Sequence, residues 1–378
     1  HPISLFGDSI DPTSYIKGCS VHRPWNRGIV VLSSAAVSIS DNVIFDTHGH
    51  SYHVATSPGS LIPPASNILR NVGIFAQAHG SGLPSDSTPA VFRLNPGTGI
   101  VSGNRACGSE SHGFWIGFDV LDVGAGDPKF TSAVAPGAFD NNEADTSAGA
   151  GFFVSQLDPR ADGDIPGARI ATTLASCIAW GNAEGGVMVG SDVGHLQIIH
   201  SKFLANGRAH VNYLSPPHAD RWWSASNPNA PVVNGCLFFG DGFDALNLKG
   251  TPTGVDNRAN MCSRGNGVNG FAGACAIAGP AGGGVTVNDA MFLSYSVPPI
   301  RSCGEGCANS GDGGYEIRFR GADFTDSSDV RVYFTTNGLK DNIVFDADGT
   351  LCDVDSLNIL HSLSGVPAWI VPFRSSNS

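Results

Sequence analysis

Short apolar runs that open on a Gly or a His residue recur along the chain, separated by stretches rich in Gly, Asn and Ser. Runs that begin at residues 28 and 50, 50 and 73, and 186 and 210 are 22, 23 and 24 residues apart, and the other gaps of 34–40 residues match one period plus an inserted loop. No amphipathic pattern of period 3.6 continues for more than about two turns, which indicates strands rather than helices. The runs are GIVVL (28), HSYHV (50), GIFA (73), GFWIGF (113), GFFV (151), GVMVG (186), HVNYL (210), DALNL (244) and GVTV (284).

This period predicts an all-β chain, namely a right-handed parallel β-helix with long loop insertions. A second short unit precedes each run and often carries Asn, which tolerates left-handed turns and can bond its amide from coil to coil. A β-propeller is the main alternative, but each blade needs about 40 residues or more, which the short spacing disfavours. We expect the β-helix to occupy residues 1–310 and residues 311–378 to form a β extension that packs on the helix or continues it.

The composition narrows the class of partner. The chain has 378 residues, a net charge of −12, 49 glycines and only 14% charged residues. Lys and Arg are scattered, so the basic stripe that nucleic acid binding requires is missing. No segment approaches the roughly 20 apolar residues of a membrane span. These features predict a secreted or cell-surface protein with a polar, uncharged surface.

The nine cysteines suggest an oxidising compartment. Cys262 and Cys275 bracket one Gly-rich loop, and Cys303 and Cys307 lie in another. We interpret both pairs as disulfide staples, because neither has the companion CxxC or His pair of a zinc site. The odd count leaves at least one free thiol, and a buried strand position is where we expect it.

Several blocks resemble the β-helix shared by the cell-migration-inducing and transmembrane hyaluronidases and the fibrocystin-like proteins. They keep the family order and cover most of the chain, and they imply the same fold. The family's glycine-rich amino-terminal domain, which precedes the HPI block, is not part of this sequence. The blocks are HPI (1–3), SVHRPWNRGIVVLSSAAVSISDNVIFDTHGHSY (20–52), LRNVGIFAQAHGSGLPSD (69–86), VFRLNPGTGIVSGNRACGSESHGFWIGF (91–118), IAWGNAEGGVMV (178–189), FLANGRAH (203–210), NGCLFFGD (234–241) and KDNIVFDADGTL (340–351).

The departures from the family pattern fall where its chemistry is expected. Family members carry a further His where this chain has Ser4–Phe6, a His-Gly where it has Leu32 and Ser33, and an acidic pair where it has Ala55 and Thr56. The resemblance implies that a retained site would use His22, Arg27, Asp46 and His50 as catalytic residues; Asp41 is also kept.

Imidazole and carboxylate groups in this set could act as acid and base on a glycosidic bond or bind a divalent metal. The period of a strand predicts that His48 and His50 share one face and that His53 points to the other. The alternative is that these side chains hydrogen-bond the turns between coils, as buried polar groups must. Candidate carboxylate pairs for hydrolysis are Asp119 with Asp122 and Glu110 with Asp86.

Three further groups are candidates for binding. Trp222 and Trp223 lie in an inserted loop, where exposed rings could stack on sugars or on a partner chain. Asp158, Asp162 and Asp164 form an acidic loop that could take calcium, the one candidate cofactor, through oxygen ligands; a solvated turn is the alternative. We expect Trp25, Trp115 and Trp180 to belong to the core, because they fall at strand positions.

Together these observations favour an extracellular, non-catalytic β-helix module for glycan binding or for structural assembly of a cell-surface or fibrous layer. Its partners would be a polysaccharide or glycoprotein, or further copies of itself in a fibre. The alternative is a hyaluronidase-like glycosidase that cleaves an acidic polysaccharide.

Overall fold

The computed structural model of this chain describes most of its first 240 residues and shorter segments after them. These residues are 2–7, 10–11, 13–33, 35–55, 65–79, 84–95, 97, 99–117, 137–157, 170–190, 193–207, 209–213, 230–240, 275–278, 284–295, 300–301, 316–325, 327, 332–333, 343–348 and 368–370.

Most coils of the chain contribute three strands, one to each of three sheets that we name A, B and C; in the last described coils the strands belong to sheets A and B. Sheet A contains β1 (Ile3–Phe6), β4 (Ile29–Leu32), β7 (Tyr52–Ala55), β10 (Ala90–Leu94), β13 (His112–Gly117), β16 (Ala150–Ser155), β19 (Gly185–Val189), β22 (Ala209–Tyr213), β25 (Cys275–Ala278), β28 (Ile300–Arg301) and β30 (Val332–Tyr333). Sheet B contains β2 (Tyr15–Lys17), β5 (Ser38–Ser40), β8 (Asn67–Leu69), β11 (Val101–Ser102), β14 (Phe139–Asp140), β17 (Thr172–Ala175), β20 (Leu196–Ile199), β23 (Val232–Asn234), β26 (Gly284–Asn288), β29 (Glu316–Arg320), β31 (Ile343–Asp346) and β32 (Ala368–Ile370). Sheet C contains β3 (Ser20–His22), β6 (Val43–His48), β9 (Val72–Gln77), β12 (Arg105–Ser109), β15 (Glu143–Asp145), β18 (Ile178–Trp180), β21 (Lys202–Leu204), β24 (Leu237–Phe239) and β27 (Met291–Leu293).

Neighbouring strands pair in parallel, which confirms the predicted parallel β-helix. A short 3₁₀ helix, Pro84–Ser87, is the one helix among the described residues. Pairing in sheet B continues in parallel from β26 to β29 and β31, and β32 then closes on β31 in the antiparallel direction. The division into residues 1–310 and 311–378 stays a prediction.

Aromatic side chains stack along the core because the register puts one above the next. In sheet A, the Tyr52 ring lies 4.6 Å from Phe92, which lies 4.6 Å from Phe114. In sheet C, Phe203 and Phe238 are 5.2 Å apart. All of these rings are buried. Side chains that point inward from the three sheets therefore form one continuous core.

Two runs of the predicted repeat do not belong to sheet A, and the run at residue 244 lies outside the described residues. The run at residue 284 is β26 in sheet B. The run at residue 73 belongs to β9 in sheet C, so its distance of 23 residues from the run at 50 compares strands of different sheets. The sheet A strand that follows β7 is β10, which opens on Ala90 and lacks the Gly or His used to find the runs. The insertion before β10 lengthens the spacing between β7 and β10, so the period of sheet A is not visible there in the sequence.

An asparagine ladder joins the coils at the turn from sheet B to sheet C, as the sequence predicted. The amide oxygen of Asn71 accepts bonds from the backbone N–H and side-chain amide of Asn42, at 3.1 and 3.0 Å. Asn71 donates in turn to Asn104, and Asn104 to Asn142. The left-handed residue is the neighbour that precedes each ladder position: Asp41, Arg70, Gly103 and Asn141.

Candidate functional site

The four candidate catalytic residues are divided between two places. His22 is exposed on the outer face of sheet C, where its Nε2 lies 2.7 Å from the Ser20 hydroxyl. Asp46 is on the same sheet, accepts a bond of 2.6 Å from the Gln77 amide, and lies 3.3 Å from the Arg23 Nε. Arg27 and His50 are buried at the turn from sheet C to sheet A.

Arg27 and His50 meet through an aspartate that follows an insertion. The Arg27 Nε donates to the Asp86 Oδ1 at 2.8 Å, and both side chains are almost completely buried. The same guanidinium contacts the Nδ1 of His53. We name Arg27, His50, His53 and Asp86 the buried cluster. Asp86 is provided by the 3₁₀ helix, 59 residues after Arg27, so that sequence spacing gave no sign of this pairing.

The predicted faces of the histidines are wrong. His50 and His53 lie together, with ring centroids 5.5 Å apart, whereas His48 points away from them towards Trp25 and His79. The reason is Gly49, whose φ of 98° turns the chain between sheets C and A. The two-residue period of a strand does not pass through such a turn.

Hydrogen bonds fix the tautomer of His50. Its Nδ1 accepts from the Ala90 backbone N–H at 2.9 Å, so in the neutral ring the proton is on Nε2, which lies 3.7 Å from the Asp86 Oδ1. Burial, and then the Arg27 charge, hold the pKa values of His50 and His53 well below the usual range of histidine. Both imidazoles are therefore neutral near pH 7.

An arginine and a tryptophan extend the buried cluster along the outer face of sheet A. The register aligns His53 with Arg93 and Arg93 with Trp115. The Arg93 guanidinium lies 4.2 Å from the centre of the Trp115 ring, and its Nη1 donates to the Gly117 carbonyl at 2.6 Å. Burial and then the Arg93 charge lower the pKa of the neighbouring His112 to about 4. Sequence analysis did not single out Arg93 or His112.

The chemistry available to the buried cluster is limited by its single carboxylate. Asp86 belongs to the cluster through its bond from Arg27. Glu110, the predicted partner of Asp86, accepts a bond from the backbone N–H of Ala78 instead. Three atoms of the cluster are buried without a hydrogen-bond partner: His50 Nε2, His53 Nε2 and Asp86 Oδ2. No group of three His, Cys, Asp or Glu residues in the described part of the chain is arranged to hold a metal ion.

An exposed aromatic group lies at the same corner, outside the buried cluster. The side chain of Trp25 is 81% exposed, and its ring stacks on His48 at 5.5 Å and 12°. His48 meets the edge of His79 at 6.0 Å. We name Trp25, His48 and His79 the aromatic corner. The expectation that Trp25 belongs to the core is wrong, because Pro24 and Trp25 lie in the turn after β3 rather than in a strand. It is also wrong for Trp115 and Trp180, which are half-buried at outward positions of β13 and β18.

The other candidates lie mostly outside the described residues. This applies to Trp222, Trp223, Asp158, Asp162, Asp164, Asp119, Asp122, Cys262, Cys303 and Cys307. Cys275 is in β25, and its pairing stays a prediction. Among the described residues, Cys19, Cys107, Cys177 and Cys236 are free thiols. Cys177 and Cys236 are buried, and burial raises the pKa of their thiols to about 12 and about 11.

Residues 4–152 match the family model of the CEMIP beta-helix. Over these residues the chain is similar to the CEMIP β-helix. This confirms the resemblance seen in the sequence, and the matched part includes both the buried cluster and the aromatic corner. No helix among the described residues is long and apolar enough to cross a membrane.

The curated relatives that this chain matches are distant and much longer. Fibrocystin-L of Mus musculus is 22% identical over 98% of this chain, and the Homo sapiens cell surface hyaluronidase CEMIP2 is 23% identical over 51% of it. The cell migration-inducing and hyaluronan-binding protein of Mus musculus is 24% identical over 38% of the chain. The alignments cover 8%, 17% and 12% of these relatives. The chain therefore spans less than a fifth of their length.

Proposed function

We propose that this chain is a non-catalytic, extracellular β-helix module that binds a glycan through its aromatic corner. The observation that carries the proposal is Trp25, whose 81% exposed ring is held parallel to the ring of His48. Relatives named as cell surface and hyaluronan-binding proteins support the location and the class of ligand.

The aromatic corner offers what a sugar ring needs. An exposed tryptophan presents an electron-rich face to the polarised C–H groups of a sugar, and exposed apolar patches mark interaction sites. The backbone here is rigid, since the His48 N–H donates to the Pro24 carbonyl at 3.2 Å and the Gly49 N–H to Gln77 at 2.7 Å. Binding would therefore not require this segment to become ordered first.

The charges beside the corner favour recognition through stacking and hydrogen bonds rather than through neutralisation of a polyanion. Arg23, two residues before Trp25, lies 3.3 Å from the carboxylate of Asp46. A binding site without free cations depends little on salt, because screening acts on exposed charges.

The buried cluster supports a structural role for two of the candidate catalytic residues. Arg27 and His50 are almost inaccessible to solvent, and Arg27 is bound to Asp86. Glycoside hydrolysis normally uses two carboxylates on opposite sides of the scissile bond, and this cluster has one among the described residues.

The test is binding of hyaluronan and neutral oligosaccharides to the chain, followed by calorimetry or tryptophan fluorescence. We expect Trp25→Ala to weaken binding at least tenfold, or about 1.4 kcal/mol. Tyr15→Ala is the matched control, because Tyr15 is 72% exposed on the outer face of sheet B, and should bind as the parent does. Equal affinity of the Trp25→Ala chain would refute the proposal.

A second candidate is a polysaccharide hydrolase that uses the buried cluster. Its support is the three buried atoms without a partner, His50 Nε2, His53 Nε2 and Asp86 Oδ2, because each such group costs roughly 1–3 kcal/mol and is seldom retained without a use. This function requires that the turn around the buried cluster open to admit substrate. It would be abolished by His50→Gln, which leaves the aromatic corner intact.

A further inference from the structure

The outer faces of sheets B and C differ in polarity. Sheet B presents mostly polar side chains to solvent, among them Ser38, Asn67, Asp140, Gln197 and Asn234. Sheet C presents apolar ones, and Phe45, Phe75 and Met291 are 36%, 53% and 41% exposed. Five of the nine large hydrophobic residues that are exposed in the described part of the chain lie on sheet C, and clustered exposed apolar side chains mark interaction sites.

An ionic band divides this apolar face into two parts. Arg105 on β12 lies 3.6 Å from Glu143 and 3.1 Å from Asp145, both on the neighbouring strand β15. The first apolar part is Val43 and Phe45 on β6 and Val72 and Ile74 on β9; the second is Ile178 and Trp180 on β18, Leu204 on β21, Leu237 and Phe239 on β24, and Met291 and Leu293 on β27.

We propose that the outer face of sheet C binds the same face of a second copy of this chain. The two-fold axis lies in the interface, parallel to the strands, and passes between β12 and β15. Because Arg105 and Glu143 are register partners on β12 and β15, this axis places Arg105 opposite Glu143 of the partner subunit. It also places Val72 and Ile74 opposite the partner's Ile178 and the partner's Trp180.

The pairing is complementary further from the axis. Phe45 on β6 faces Leu204 of the partner subunit, and Val43 faces Lys202 of the partner subunit. The ammonium group of Lys202 can extend past Val43 into solvent while its stem stays against the apolar surface. Self-complementarity of this kind is what an isologous interface requires.

Charge decides between the two ways of placing a two-fold axis in this interface. An axis along the β-helix would put each strand against its own copy with the direction reversed. Glu143 would then face Asp145 of the partner subunit, and like charges directly opposite are destabilising. The axis parallel to the strands instead replaces this repulsion with the attraction between Arg105 and the partner's Glu143.

The size of the face sets the strength of the association. The eight strands β3 to β24, at a spacing of about 4.8 Å, make a surface about 34 Å long and about 10 Å wide, which is less than the roughly 800 Å² per partner of a standard interface. We therefore expect a weak dimer that forms at tens of micromolar. His48 of the aromatic corner ends β6 and so borders this face, whereas Leu204 is on β21, five strands further along the sheet. A change at Leu204 therefore tests the dimer without altering the aromatic corner.

The experiment is sedimentation equilibrium of the 378-residue chain across a concentration series. We expect a monomer–dimer equilibrium that Leu204→Glu weakens at least tenfold, whereas Val232→Glu, the same type of change on the outer face of sheet B, leaves it unaltered. Circular dichroism checks that both variants are folded. A parent chain that remains monomeric at about 100 µM, or equal effects of the two variants, would overturn the proposal.

Cross-linking tests the direction of the axis. Chains carrying Ile74→Cys and Trp180→Cys, each in a background with Cys19→Ser and Cys107→Ser, are purified separately, mixed and treated with a short bismaleimide. The background chain without an added cysteine is treated in the same way as a control. We expect a cross-linked heterodimer from this mixture and none from Ile74→Cys mixed with Val232→Cys. A product from Ile74→Cys mixed with Val72→Cys, and not from the first mixture, would show that the two-fold axis runs along the β-helix and would overturn the proposed axis parallel to the strands.

Discussion

The side-chain amide of each ladder asparagine forms hydrogen bonds with neighbouring coils at the turn between sheets B and C. Asn71 is completely buried; its Nδ2 donates to the Ile39 carbonyl at 2.9 Å and to the Asn104 oxygen at 3.0 Å. Its oxygen accepts two bonds from Asn42. Each amide therefore satisfies buried groups of the coils on both sides, as buried polar groups require.

Removing one ladder amide should destabilise the chain. Asn71→Ala leaves the Asn42 donors and the Ile39 carbonyl buried without partners, and we expect the free energy of unfolding to fall by about 3 kcal/mol. Asn234→Ala, at an outward position of sheet B, is the control and should change it by less than about 0.5 kcal/mol. Urea denaturation measures both, and equal midpoints for the two variants would contradict the role of the ladder.

Residue-level prediction from sequence succeeded where the signal is local. Asparagine recurring before strands indicated the ladder. It failed for Trp25, because the apolar pattern does not distinguish a strand from the turn that leads into it, and for Asp86, because its partner Arg27 is 59 residues earlier. Contacts between coils depend on insertion lengths, which vary along this chain.

The turn between sheets B and C needs one left-handed residue per coil, and the chain provides different residues for it. Gly103 has a φ of 68° in one coil and Ser176 a φ of 52° in another. The left-handed conformation costs a residue with a side chain roughly 1–2 kcal/mol, whereas glycine adopts it freely. The geometry of the turn, rather than the type of residue there, therefore imposes the left-handed conformation.

Two substitutions at this turn should therefore change the stability of the chain in opposite directions. Ser176→Gly should raise the melting temperature, and Gly103→Ala should lower it, each by the equivalent of about 1 kcal/mol. The added Cβ at position 103 would lie 3.4 Å from the Arg70 Cγ, an approach that the neighbour can accommodate, so backbone strain dominates. Differential scanning calorimetry provides the comparison; a stabilising Gly103→Ala would show that the turn does not impose this conformation.

Element-level prediction recovered six of the eleven strands of sheet A and missed β10 among the others. Most runs that open on Gly or His mark the entry into sheet A, because the chain turns there and small or polar residues fit. β10 opens on Ala90 after an insertion, which removed both the signal and the spacing. Sheet C was seen only in part, since its outward apolar side chains disturb the alternation expected of a strand with one solvated face.

Buried neutral histidines make the whole molecule sensitive to acid. Burial lowers the pKa of His210 to about 4, and the pKa values of His50 and His53 are lowered in the same direction. An unfolded histidine titrates near pH 6.5, so between that value and about pH 4 the unfolded chain binds more protons than the folded one. Stability is full above pH 6.5 and falls as the pH decreases.

We expect His210→Gln to reduce this acid sensitivity. The single imidazole accounts for about 2 kcal/mol lost between pH 7.5 and 5. The melting temperature should therefore fall less over this range in the variant than in the parent chain. His22→Gln, at an exposed position, should behave as the parent does. An unchanged slope for His210→Gln would contradict a neutral buried histidine at this position.

At the scale of the whole molecule, the period and the family blocks predicted the fold, but not which surfaces are exposed. The departures at Ala55 and Thr56 favoured a non-catalytic module, and the burial of Arg27 and His50 supports the same conclusion from geometry. Neither the aromatic corner nor the apolar face of sheet C could be predicted, because both arise from the stacking of residues from different coils.

The most decisive experiment measures the length distribution of high-molecular-weight hyaluronan after incubation with the chain, by light scattering with size-exclusion chromatography. We expect an unchanged distribution at neutral and mildly acidic pH, with and without calcium, from a chain that still binds glycan through Trp25. Shortening of the polymer that disappears in His50→Gln, while Trp25→Ala retains it, would contradict the account.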